Sequence, residues 1–152
     1  MTEPKRRRRD HSVGELGQSL VEFALILPVL VLILMGVFDF GRAFFAYNAI
    51  SNGAREGARY GTVCPDDTPE CRDSVPPYDP ETIQGKAVAQ TFILDMDEVD
   101  VEVSPNGQRG DPITVTVTYD FHALTPLIGN IIGNPLILRS SATMIIEQTP
   151  GP

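Results

Sequence analysis

From Leu20 to Phe38 the chain reads LVEFALILPVLVLILMGVF, and every residue except Glu22 is apolar, glycine or proline. A run of about nineteen residues approaches the ~20 that a bilayer-spanning helix needs, and at about 1.5 Å per residue it reaches about 28 Å. A buried helix of a soluble protein is seldom apolar for so long, so a membrane helix is the reading to build on. Pro28 removes one backbone hydrogen bond within it, which membrane helices tolerate better than soluble ones. Glu22 is the anomaly. A charge inside a membrane helix costs about 2.5–3.5 kcal/mol on insertion scales, so such a residue either reaches the headgroup level or has a function.

The flanks give the run a direction. Lys5 and Arg6 to Arg9 precede it, whereas the region after it is acidic and the 152-residue chain carries a net charge of −8. Basic residues mark the cytoplasmic side, which predicts a cytoplasmic N-terminus and an extracytoplasmic C-terminal region. An acidic body argues against nucleic-acid binding. A cleaved secretory signal is the rival, but its apolar core would be shorter. The nearest small-x-small site, Gly41-Arg42-Ala43, is poor, with Asp39 before it and aromatics on both sides. The length allows one domain and an extra element, not two sizeable cores.

Beyond the run, RAFFAYNAISNGAREGARYGTV places Ala49, Gly53, Gly57 and Gly61 at every fourth position, with Ala54 and Ala58 beside them. On a continuing helix these form a stripe that lets another backbone or a sheet approach closely. Each glycine costs the helix roughly 1 kcal/mol relative to alanine, so packing must compensate. Arg55, Glu56 and Arg59 read as a solvated or ion-paired flank, and Asp39 and Arg42 as an i,i+3 pair at the outer membrane interface.

The stretch CPDDTPECRDSVPPYDP is a loop. Outside the cytoplasm its two cysteines, Cys64 and Cys71, would by default form a local disulfide; two free thiols are the alternative, and a metal site lacks ligands. PETIQGKAVAQTFIL reads as a short amphipathic helix with Ile83, Ala87, Val88 and Phe92 on its apolar face. VDVEVS and PITVTVTYDF alternate with a period of two and flank the turn residues PNGQRGD, which predicts an antiparallel hairpin. ALTPLIGNIIGNPL is an apolar loop or broken helix, and LILRSSATMIIEQT a third strand. The expected class is α+β, with a long N-terminal transmembrane helix packed on a small antiparallel sheet of about three strands. Its parts are a basic leader (1–17), the helix with its extension (18–62), the Pro/Asp-rich loop (63–81) and an α+β domain (82–152).

Chemistry is sparse. His11 and His122 have neither ligands nor a nucleophile at suggestive spacing, the glycines have packing rather than phosphate-cradle spacing, and RGD at 109–111 is explained by a turn. No enzyme activity, metal or cofactor is implied.

The start of the helix is more specific. Gly17 followed by QSLVEF resembles a type IV prepilin processing site, with glycine before the scissile bond and glutamate at the fifth mature position. The continuation EFALILP…DFGR…AREGAR resembles the TadE-like family of minor pseudopilins in the bacterial tight-adherence (Tad/Flp) pilus machinery, and ITVTVTYDFHALTPLIG and LRSSATMIIEQ are similar to that family's C-terminal part. The resemblance implies a pilin-like arrangement of helix and sheet, cleavage between Gly17 and Gln18 by a prepilin peptidase and an assembly role for Glu22. It also implies partnership with other pseudopilins and Tad machinery proteins, and residence in the bacterial cytoplasmic membrane or pilus. The alternative is a membrane-anchored extracytoplasmic binding domain that never enters a pilus.

Overall fold

The computed structural model describes residues 12–63, 71, 76–104, 109–126, 129–130 and 133–147, with side chains from Gly17 onward. Helix α1 runs from Ser12 to Gly61 and continues through Pro28. It therefore begins six residues before Gln18, where the sequence placed its start. Helix α2 covers Ile83–Ala89, and strands β1 (Val99–Val103), β2 (Pro112–Phe121) and β3 (Leu136–Ile145) follow. The chain separates into two compact units, Met1–Phe38 and Asp39–Pro152.

In the first unit every side chain from Gly17 to Phe38 is exposed, Gly36 alone being intermediate. Among the described residues nothing covers this apolar surface, as expected of a helix that crosses a membrane.

In the second unit the strands lie in the order β1-β2-β3, both pairs antiparallel. The alternation dictates the faces. Val99, Val101, Ile113, Val115, Val117, Tyr119 and Phe121 are buried, as the period-two pattern predicts. The opposite face is polar: Thr114 and Thr116 exchange hydroxyl hydrogen bonds with Thr143 (2.8 Å) and Ser141 (2.9 Å). Arg139 there reaches Glu102 across the central strand at 3.2 Å. Only one face therefore needs cover, and the second half of α1 together with α2 provides it. The fold is α+β, a long helix packed on a three-stranded antiparallel sheet.

The small-residue stripe explains how close that cover lies. A Cβ on Gly53 would sit 2.6 Å from the Ala87 carbonyl oxygen, and one on Gly57 would sit 2.9 Å from the Ala87 Cβ and 3.1 Å from a Val115 methyl. Both distances are below normal contact, so α2 and β2 can approach α1 only because side chains are missing. Ala46, Ile50, Ala54 and Ala58 complete the buried face, and Ile50, Ile83, Val115 and Val117 are among the largest fully buried side chains. Gly53, Gly57 and Gly61 are buried but Ala49 is only half-buried. Steps of four residues advance 40° around a 3.6-residue helix, so a strict four-residue stripe drifts off the contact line.

Helix α2 is shorter than the sequence suggests. Thr82 caps it, accepting from the Gly85 amide at 3.0 Å and donating to the Asp79 carbonyl at 2.6 Å. Ile83, Ala87 and Val88 are buried as expected, but Phe92 is 74 % exposed. The helix ends at Ala89, and the Thr91 amide and hydroxyl both donate to the Val88 carbonyl at 2.8 Å. That turn brings Thr91, not Phe92, to the interior. The side of α1 facing away from the sheet carries the expected ionic flank, Arg59 donating to both Glu56 carboxylate oxygens at 2.9 and 3.1 Å.

Candidate functional site

The residues singled out by the sequence fall at three places along α1. At its start, the Gln18 side-chain amide donates to the Glu22 carboxylate at 3.1 Å, one helical turn away. Both side chains are exposed, and this neutral amide leaves the charge of the carboxylate in place. Gly17 is also without a packing reason: a Cβ there would meet no atom within 4 Å. A glycine inside a helix costs roughly 1 kcal/mol relative to alanine, and at Gly53 and Gly57 the close approach of α2 and β2 accounts for that cost. At Gly17 no contact among the described residues does.

The second place is the stripe already described, where Gly53, Gly57 and Gly61 abut α2 and β2.

The third is Asp39, the residue directly after the apolar run. Its side chain is 4 % exposed overall, yet it lies in a helix whose neighbouring residues face outward. The two carboxylate oxygens accept from the backbone amides of Leu124 and Thr125, each at 3.0 Å. Arg42 lies 3.7 Å away as the expected i,i+3 partner. It also donates to the His122 carbonyl at 3.4 Å and stands over the Phe121 ring, 5.3 Å from its centre. Burial pushes the Asp39 carboxyl up, but the two amides and the Arg42 guanidinium outweigh it and hold the group below the usual carboxylate range. Asp39 and Arg42 thus form a polar clasp on the chain leaving β2. The sequence identified the pair but not its cargo. The available signal was the LTP turn at 124–126, whose free amides need an acceptor.

Cys71 is disulfide-bonded; Cys64, the partner expected from the sequence, lies outside the described residues, as does His11. His122 is exposed and its Nδ1 lies 3.2 Å from the Asp120 carbonyl. Among the described residues no three His, Cys, Asp or Glu side chains cluster as metal ligands.

The apolar part of α1 is long enough to cross a membrane, and none of its most apolar window is buried in the fold. Comparison with curated proteins and with solved structures gives no match. A family model described as TadE-like protein matches residues 17–59. The matched stretch starts on Gly17, spans the apolar run and the Asp39–Arg42 pair, and ends two residues before α1 does. Over residues 17–59 the chain is thus similar to TadE-like proteins, on a helix long and apolar enough to cross a membrane.

Proposed function

We propose that the protein is a minor pseudopilin of a Tad-type pilus, a non-enzymatic subunit that acts through packing of its membrane helix during assembly. A membrane-embedded prepilin peptidase would cut between Gly17 and Gln18, leaving a mature chain anchored in the cytoplasmic membrane with residues 39–152 outside the cytoplasm. The observation that carries this reading is the family match beginning on Gly17, a glycine that no contact among the described residues requires.

The chemistry gives Glu22 its part. Cleavage would create an α-amino group on Gln18, with an unperturbed pKa near 7.7–8, one helical turn from the carboxylate. That ammonium, on the same or a neighbouring subunit, would supply the partner that the Gln18 amide supplies only weakly now. Pairing would offset the insertion cost of Glu22, and where the ammonium belongs to a neighbouring subunit that gain would depend on subunits meeting correctly. The test is N-terminal sequencing of the protein from envelope and pilus fractions, alongside Glu22→Gln. The mature chain should begin at Gln18, and the variant should insert normally but lower pilus output. An intact leader on the envelope protein refutes the processing step, and unchanged piliation by Glu22→Gln refutes the assembly role. Failure to co-purify with any pilus component would favour an anchored binding domain.

A further inference from the structure

We infer that the second unit makes its own contact with the lipid headgroup region, through Leu124, beside the point where α1 leaves the bilayer. The inference rests on the membrane reading of Leu20–Phe38. Asp39 follows Phe38 directly, and its carboxylate holds the Leu124 and Thr125 amides at 3.0 Å. The Leu124 backbone is therefore fixed within hydrogen-bonding distance of the first residue past the apolar run. Its side chain is nevertheless 68 % exposed. An exposed leucine at that level meets lipid once the preceding helix is in a bilayer.

Three further features fit lipid as the occupant. From Phe121 to Leu138 the sequence FHALTPLIGNIIGNPLIL contains no Asp, Glu, Lys or Arg, in a chain that is 21 % charged. A stretch broken by prolines, glycines and asparagines does not span a membrane, but its composition suits the interface. Phe40, Phe44, Phe45 and Tyr47 are all exposed on the same turns of α1, and Phe40 and Phe44 stack at 6.5 Å. Aromatic residues just past an apolar run are those that settle at headgroup level. The acidic group at this end, Asp39, is buried under two amides and a guanidinium, so it presents no bare charge to the bilayer.

The chain has no tryptophan, so a single introduced indole reports its own surroundings. Full-length Leu124→Trp, Leu30→Trp and Phe92→Trp proteins are reconstituted at low protein density in phosphatidylcholine vesicles with and without brominated acyl chains. Leu30 marks the apolar run. Phe92 is exposed but follows Thr91, which lies beside Gly53, about 21 Å along the helix from Asp39. Leu124→Trp should emit at shorter wavelength than Phe92→Trp and be quenched several-fold more strongly by the brominated lipid. Equal, water-like emission at 124 and 92, with 30 quenched, overturns the lipid contact while leaving the anchor standing. No quenching at 30 overturns the anchor and the inference with it. A shielded indole at 124 that brominated lipid does not quench assigns the surface to another protein copy and overturns the inference.

Discussion

The two halves of α1 are built from the same kind of backbone and solve opposite problems. From Leu20 to Phe38 the side chains are mostly large, apolar and exposed, whereas from Asp39 to Gly61 those facing the sheet, Ile50 apart, are mostly small and buried. Lipid conforms to whatever it surrounds, so the first half needs only bulk and hydrophobicity. A sheet and a second helix do not conform. The second half must be carved to their shape, and it gives up helix propensity at Gly53 and Gly57 to admit them. Family likeness runs across both halves, from 17 to 59.

Substitutions that treat the halves alike should separate them sharply. The largest effect is expected from Ile50→Ala, because Ile50 is wholly buried. It should lower the stability of the folded unit by about 2–5 kcal/mol, read as a lower midpoint in thermal unfolding of the full chain in detergent. Ile33→Ala, made in the exposed half, should leave that midpoint unchanged; an equal loss would erase the distinction. Next comes Asp39→Ala, which leaves the part-buried Leu124 and Thr125 amides without their acceptor, at about 1–3 kcal/mol in all because water can reach them. Asp39→Asn should cost less, since one carbonyl oxygen remains.

The Asp39 carboxyl also sets a pH signature. Its folded pKa lies below its unfolded value of about 3.9, so its stabilisation is complete above that value. It is lost as pH falls through the lower, folded pKa. Acid titration of Asp39→Asn should lack that component, and an identical acid profile would show that the clasp carries no charge-dependent stability. Gly57→Ala should destabilise by up to about 1–3 kcal/mol through overpacking against Ala87 and Val115, less roughly 1 kcal/mol gained in helix propensity. Gly61→Ala is the smallest. A Cβ there meets the Ile113 Cδ1, the tip of a side chain that can turn away, and the midpoint should move little in either direction.

Much of this was legible in the chain. Period-two alternation located β1 and β2 and their buried faces, because the other face of those strands is polar. The four-spaced small residues located the packing stripe. Phe92 was misplaced because periodicity does not count hydrogen bonds: Thr91 closes the turn on Val88 and rotates the next side chain outward. Ala49 was misplaced for the geometrical reason that four is not 3.6. The clasp was legible only by half, since Asp39–Arg42 is a local pair but the amides it serves lie 85 and 86 residues away. Glu22 stood out as a charge in an apolar run, whereas Gly17 and the assembly role of Glu22 came from the resemblance; among the described residues their surroundings explain neither.

Strand β2 runs back along α1 so that Ile113 meets Gly61, Val115 meets Gly57 and Phe121 meets Arg42. Four helical residues advance about 6.0 Å and two strand residues about 6.7 Å. The two repeats therefore nearly coincide, and along the apolar contact alone a slip of one turn against two strand residues would exchange similar neighbours. Asp39 removes that degeneracy. Only one alignment presents two free amides to its carboxylate, so the clasp works as an index mark that tells the strand which turn of the helix to begin on.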